Sequence, residues 1–178
     1  MANKTVIIYH SETGFTKRYA EWIAQALSCD CMEFKKADKQ NFDAYETIIY
    51  GGWAMGGSVS KIKWFKKNMT KWEGKRLALF CVGASPIENP EIAEAMKKWF
   101  TPEESGKVST FYCPGGLNYE KMTAQYRMMM KMFIKMLKGK KDKAEADLKQ
   151  IEMISSSYDI SDRKYIEPIV EWANSEEP

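Results

Sequence analysis

Apolar residues fall in short unbroken runs, separated by stretches whose apolar positions recur every third or fourth residue. Thr5 to His10 (TVIIYH) is β-branched and nearly all apolar, and Phe15, Tyr19, Ile23 and Leu27 then repeat at helical spacing. Cys31 to Phe34 is a weaker strand. Thr47 to Tyr50 (TIIY) is a third run, ending at Gly51-Gly52, and Ile62, Phe65, Met69 and Trp72 follow at helical spacing. Arg76 to Gly83 (RLALFCVG) is the longest run. Asn89-Pro90 reads as a helix start, a cap followed by a first-turn proline, with Ile92, Met96 and Trp99 or Phe100 facing inward. Val108 to Cys113 is the fifth strand candidate, closed by Pro114-Gly115-Gly116. Strands that do not alternate polar with apolar are covered on both faces, as parallel sheets require. The pattern therefore predicts an α/β fold, a doubly wound five-stranded parallel sheet with helices on both faces. Such sheets bind ligands beyond the carboxyl ends of their strands, at a topological switch point. Three loops lie there: Ser11 to Thr16, Gly51 to Gly57 and Gly83 to Glu88.

Beyond Tyr119 the alternation stops. Met122, Tyr126, Met129, Phe133 and Met136 form one helical stripe, widened by Met130 and Leu137, and Arg127, Lys131, Lys135 and Lys138 form another. Gly139 stands near the end of that helix. A mixed segment runs to Ser161. A last helix covers Asp162 to Ala173, and Pro168 inside it predicts a kink or a late start. At 178 residues the chain reads as a single domain, 1–178, with an excursion at about 117–160.

Composition narrows the classes. Apolar residues at 44% and charged residues at 29% exclude a disordered or collagen-like chain and a disulfide scaffold. No apolar run approaches the roughly 18 residues that span a bilayer. Met1 to Lys4 is polar, and Val6 to Tyr9 is too short for a signal peptide. Cys29, Cys31, Cys81 and Cys113 form no CxxC, and the one histidine is His10, so no zinc or iron–sulfur pattern is present and a reduced, cytoplasmic chain is expected. Net charge is +3. Lys121 to Lys143 holds eight basic residues against Asp142 alone, so that segment carries +7 and the rest of the chain −4. Local charge of this kind bears on partners rather than on fold.

The first loop carries the sharpest chemistry. Ser11, Glu12, Thr13, Gly14, Phe15 and Thr16 join a buried strand to an amphipathic helix, with three hydroxyls and one glycine in six residues. A helix N-terminus leaves N–H groups unpaired and carries partial positive charge, and Gly14 would let a phosphate come close. With no lysine or arginine before Lys17, dipoles and hydroxyls would do the binding. The alternative is an ordinary Ser/Thr helix cap. Other phosphate motifs are missing: there is no GxxxxGK[ST], no GxGxxG after the first strand, and the third run ends in Tyr50-Gly51 rather than the aspartate of a phospho-receiver. In the second loop (Gly52, Trp53, Ala54, Met55 and Gly56 between Gly51 and Gly57), the glycines allow unusual backbone angles and Trp53 offers a flat face to a ligand or packs under the loop.

Taken together these loops resemble the flavodoxin family. Ser11-x-Thr13-Gly14-x-Thr16 after TVIIYH is similar to that family's FMN phosphate loop. The glycine-rich loop with Trp53 is similar to the loop that covers the flavin, and Gly83-Ala84-Ser85-Pro86 falls where the second ring-contacting loop lies. The resemblance spans residues 4 to 174. It implies non-covalent FMN, with Ser11, Thr13 and Thr16 bonding the phosphate, the amides of Glu12 to Thr16 completing the nest, and Trp53 flanking the isoalloxazine. The flavin would carry the electrons and no side chain would be catalytic. Electrons would pass to or from a redox partner protein or a small-molecule, quinone-type acceptor. Two features depart from the family: the third loop (GASPIENPE) has no aromatic to flank the ring, and the chain is slightly basic. The segment after the fifth strand is instead similar to menaquinone-dependent protoporphyrinogen dehydrogenase, through Gly116-Leu117-Asn118-Tyr119 followed by the Met/Lys-rich Tyr126 to Met136. That resemblance implies an FMN-dependent dehydrogenase.

The basic, methionine-rich helix has three readings. Its apolar stripe packs on the sheet with the lysines in water. It lies on a membrane surface, at the inner face of the membrane. Or, lowest in order, it faces nucleic acid, in a flavin-free interaction module. His10, next to the phosphate loop, either contacts a ligand or ends the strand. Cys81 and Cys113 read as core residues.

Overall fold

The computed structural model describes residues 4–175; the polar lead-in Met1 to Asn3 lies outside the described residues. Five parallel strands form the sheet: β1 (Thr5–Tyr9), β2 (Asp30–Glu33), β3 (Thr47–Met55), β5 (Arg76–Gly83) and β6 (Val108–Pro114), in the order β2-β1-β3-β5-β6. Between β3 and β5 a two-residue strand, β4 (Ser58–Val59), pairs antiparallel with the end of β3. The helices are α1 (Phe15–Leu27), the single turn α2 (Phe34–Ala37), α3 (Ile62–Met69), α4 (Pro90–Met96), the single turn α5 (Pro102–Ser105) and, at the end of the described chain, α8 (Glu167–Asn174).

The unbroken apolar runs are explained by the two-residue period of a strand. Val6 and Ile8 of β1, Ile48 and Tyr50 of β3, and Leu77 and Leu79 of β5 face one core, with Phe65 of α3, Trp72 and Phe100. Ile7, Ile49, Ala78 and Phe80 face the other core, with Tyr19 and Ile23 of α1 and Ile169 of α8. These three central strands are thus buried on both sides, as a doubly wound sheet demands, while the edge strand β2 is largely exposed. The chain leaves β1 for β2 on one side and reaches β3 on the other, so the switch point lies at the carboxyl end of β1. Asn89 caps α4 as its sequence suggests, its Oδ1 accepting from the N–H of Glu91 at 3.0 Å. Pro168 gives the late start: a 3-10 turn over Arg163–Ile166 precedes α8.

After β6 the chain makes its excursion: β7 (Gly116–Leu117), α6 (Ala124–Lys138), α7 (Glu145–Ile154) and β8 (Tyr158–Asp159). β7 and β8 pair antiparallel, Gly116 with Asp159 and Leu117 with Tyr158, closing the excursion at its base. Arg18 of α1 ties that base to the sheet by donating to Asp159 at 2.5 Å and to Ser161 at 2.7 Å. The excursion has a small core of its own around Leu117, Leu137, Ile151 and Ile154.

Two expectations change here. The methionine-rich stripe does not pack on the sheet as drawn from the sequence. The inner face of α6 is Tyr126, Met130, Ile134 and Leu137, joined by Met122, whereas Met129, Phe133 and Met136 stand outside. Apolar residues cover more than half the circumference of this helix, so spacing alone cannot choose which strip turns inward. The glycine-rich segment is also not a loose loop. β3 runs on through Gly51 and Gly52 to Met55, and the turn is the two-residue Gly56-Gly57, both at positive φ (56° and 79°), between Ala54–Met55 and Ser58–Val59. A tight hairpin turn of this kind needs that left-handed backbone.

Candidate functional site

The three loops chosen from the sequence meet at the switch point around one cavity of about 210 Å³. From the first loop Ser11, Glu12, Thr13, Phe15 and Thr16 line it. The β3–β4 hairpin adds Trp53, Ala54, Met55 and Gly56, and the end of β5 adds Gly83 and Ala84. Gly14, Gly52, Ser85 and Pro86 do not line it. Gly52 is buried against β4, where a Cβ would stand 2.6 Å from Val59 Cγ1. The Ser85 carbonyl accepts from Tyr112 Oη at 2.8 Å, and Pro86 is turned to solvent.

The first loop is not an ordinary Ser/Thr cap. The N-cap of α1 is Gly14, in the left-handed region (φ 104°), and no side chain caps the first turn. The Ser11 hydroxyl accepts from the Gly14 N–H at 3.2 Å, which shapes the loop rather than the helix end. The first-turn N–H groups of α1 and the positive end of its dipole are therefore left for an anion. The sequence placed no cation here, and the fold supplies one from far along the chain: Lys121 Nζ lies 4.0 Å from where a Cβ on Gly14 would be. The two cations nearest in sequence are engaged elsewhere, Lys17 with Glu21 and Arg18 with Asp159.

Trp53 is held from behind. Its backbone N–H donates to Ser60 Oγ at 3.1 Å, and the same oxygen lies 3.0 Å from His10 Nδ1. The His10 ring stacks on the indole (centroids 6.4 Å apart) and meets Phe34 edge-on. His10 thus packs against the hairpin instead of lining the cavity. Burial first, then the Lys61 ammonium, lower its pKa below the ordinary value; Glu12 and Glu33 oppose this by smaller amounts, and Lys35 adds slightly to it. Such a base binds fewer protons folded than unfolded, so its contribution is present above about pH 6.5 and is lost as pH falls. His10→Asn is expected to flatten the loss of stability between about pH 7 and pH 5, read as urea midpoints of the two proteins across that range. Equal slopes would remove His10 from the account.

Sequence reasoning missed one wall. Met122, Tyr126 and Met130 reach the cavity from the excursion at i, i+4 and i+8, with Met129, Gly116 and Leu117 beside them. Tyr126 meets Trp53 edge-on, ring centroids 5.1 Å apart. The helical spacing of these residues was readable, but not the cavity they face. Among the lining residues the acidic side chains are Glu12 and Tyr126 alone. The third loop is fixed by two tyrosines: Tyr112 bonds Ser85, and Tyr158 of β8 donates to the Ala84 carbonyl at 2.6 Å.

No curated protein matches the chain. Among solved structures, it is similar to a flavoprotein in complex with FMN from Lactobacillus acidophilus NCFM, at 19% identity over 64% of this chain and 93% of that one, TM-score 0.46. It is also similar to a flavodoxin from the domain Archaea (16% identity, 97% and 99% covered, TM-score 0.40) and to oxidised flavodoxin 2 from Bacillus cereus (21%, 61% and 84%, TM-score 0.43). A family model described as a flavodoxin domain matches residues 6–144, which includes all three loops, β6 and the whole of α6. By that match, the chain belongs to the flavodoxin domain family.

Proposed function

We propose that this chain binds FMN non-covalently at the switch point and passes electrons through it between a donor and an acceptor. The observation that carries the reading is the first turn of α1, uncapped and opening on a cavity whose remaining walls are mostly apolar. A phosphate monoester there meets unpaired N–H groups, the helix dipole, the hydroxyls of Ser11, Thr13 and Thr16, and the Lys121 ammonium. The residues fit the ring end as well. Trp53 Nε1 is buried without a partner and so is available to a polar ligand atom. The cavity is narrower than the roughly 300–1,000 Å³ of small-molecule sites, so a ring seated on Trp53 requires Tyr126 to withdraw. When bound, FMN supplies electron and hydride transfer. The chain orients it and keeps water from it. The lining holds no histidine, lysine or cysteine and only one carboxylate, Glu12, so the site offers little acid–base machinery, which suits an electron carrier.

The test is a titration of the apoprotein with FMN and with riboflavin, followed by flavin fluorescence and by the Trp53 signal. FMN is expected to saturate. Thr13→Ala and Lys121→Met should each weaken FMN about tenfold and leave riboflavin, which has no phosphate, unchanged. No saturation by FMN would sink the proposal.

A second reading has one observation in its favour: the excursion does not stand aside but lines the cavity through Met122, Tyr126 and Met130. An FMN-dependent dehydrogenase of the protoporphyrinogen and quinone type would use such a wall to hold a large apolar substrate. Porphyrin formation in an anaerobic assay with protoporphyrinogen and a quinone, above a control without protein, is its expected result.

A further inference from the structure

α6 is divided lengthwise into three strips. Its inner strip, Tyr126, Met130, Ile134 and Leu137, faces the cavity and the excursion's core. A second strip is cationic: Arg127, Lys131, Lys135 and Lys138, all exposed and none in an ion pair with a described residue. The third is apolar and open to solvent. Met128, Met132 and Met136, at i, i+4 and i+8, are 64%, 67% and 59% exposed, and Met129 and Phe133 extend the strip toward the cavity. Five large apolar side chains side by side on one helix face mark an interaction surface rather than ordinary surface scatter.

We propose that this face of α6 docks on an anionic lipid surface. The helix lies along the surface, with Met128, Met132 and Met136 in the interfacial layer and the cationic strip against headgroup phosphates. An apolar strip bordered by lysines is the arrangement of an interfacial helix. Unbranched methionines adapt to a fluid layer that presents no fixed pocket. At 15 residues α6 lies on a bilayer without spanning it, and no helix among the described residues is long and apolar enough to cross one. Charge complementarity selects the occupant. α6 holds no acidic residue, so a second copy on this face would set one cationic strip against another with nothing to pair them. The segment from 121 to 143 carries +7 and the remainder of the chain −4, so an anionic surface attracts this side and repels the rest, which fixes the orientation. Met129 belongs both to the exposed strip and to the cavity wall, so docking brings the cavity mouth to the lipid phase.

The test uses the full chain, with and without FMN, sedimented with vesicles of phosphatidylcholine plus phosphatidylglycerol and with vesicles of phosphatidylcholine alone. The protein is expected to pellet with the anionic vesicles only, less so as salt is raised, and equally with and without flavin, so the outcome stands apart from the flavin titration. Lys131→Gln with Lys135→Gln should lower the partition coefficient roughly thirtyfold, about fivefold per lysine. Met128→Gln with Met132→Gln should lower it about tenfold or more. Circular dichroism and melting curves of both double variants should match the parent, since all four side chains are exposed. Pelleting that is equal on neutral vesicles, unaffected by either pair, or missing overturns the proposal. So does self-association or binding of an acidic protein through this face in the absence of vesicle binding.

Discussion

Gly51→Ala is expected to lower the melting temperature by roughly 6–12 °C, the effect of about 3 kcal/mol in a chain of this size. Gly51 sits in the middle of the sheet, between Tyr9 of β1 and Phe80 of β5. A Cβ there would stand 2.1 Å from Phe80 Cζ and 2.6 Å from both Cε atoms. The Phe80 ring is fully buried between the sheet and the layer of α1 and α8, so it has nowhere to turn. The glycine is present for this close approach and not for backbone freedom, since β3 is extended through it. Gly74→Ala is the contrasting case. Its φ of 80° strains an alanine, but nothing lies within 4 Å of the added atom, so a loss of only about 1 kcal/mol is expected. Thermal unfolding followed by circular dichroism separates the two. Phe80→Leu added to Gly51→Ala should recover part of the loss, and a single variant as stable as the parent would contradict the packing.

The sheet and its binding edge were legible because their signals are local. TVIIY is buried on both faces, and Phe15, Tyr19 and Ile23 mark the helix that follows, so β1, α1 and the loop between them could be placed from spacing alone. The switch-point rule then brings three loops distant in sequence to one site with no knowledge of contacts required. Signals carried by tertiary contact did not show. The Gly51-Gly52 pair reads as a flexible loop, yet its meaning is the ring of Phe80 on one side and the backbone of Ser60 on the other. β7 and β8 are two residues each and exist only through pairing across about 40 residues of chain, which no local propensity reports. Lys121 stands more than 100 residues from Gly14 in sequence, so the cation beside the first loop could not be read there. On α6 the period was right and the inward strip wrong, because methionine at 128, 129, 130, 132 and 136 makes the hydrophobic arc too wide to have one centre.

Gly116→Ala should detach the excursion while leaving the sheet intact. Gly116 has φ 149°, and a Cβ on it would stand 2.1 Å from the Tyr158 carbonyl oxygen, 3.0 Å from its carbon and 3.1 Å from the Asp159 Cα. These are backbone atoms of β8, so relief requires β7 and β8 to separate. Their two residue pairs, with the Ile160 N–H bonded to the Gly115 carbonyl at 2.8 Å, are what closes the excursion at its base. The core of the excursion, around Leu117, Leu137, Ile151 and Ile154, is separate from the two cores that flank the sheet, so strain at Gly116 has its own unit to unfold. A cost of about 2 kcal/mol or more corresponds to a roughly thirtyfold loss of amide protection in α6 and α7, while β1, β3 and β5 keep theirs. Hydrogen exchange read by mass spectrometry gives both quantities in one experiment. The effect should reach the cavity, because Gly116 and Leu117 line it and Tyr158 holds the Ala84 carbonyl of the third loop. FMN affinity should therefore fall in Gly116→Ala even though the phosphate loop is untouched, and riboflavin affinity should fall with it, whereas Lys121→Met should spare riboflavin. If the sheet amides lost protection as fully as those of α6, the excursion would be part of the same cooperative unit as the sheet, and its wall of the cavity could not move independently.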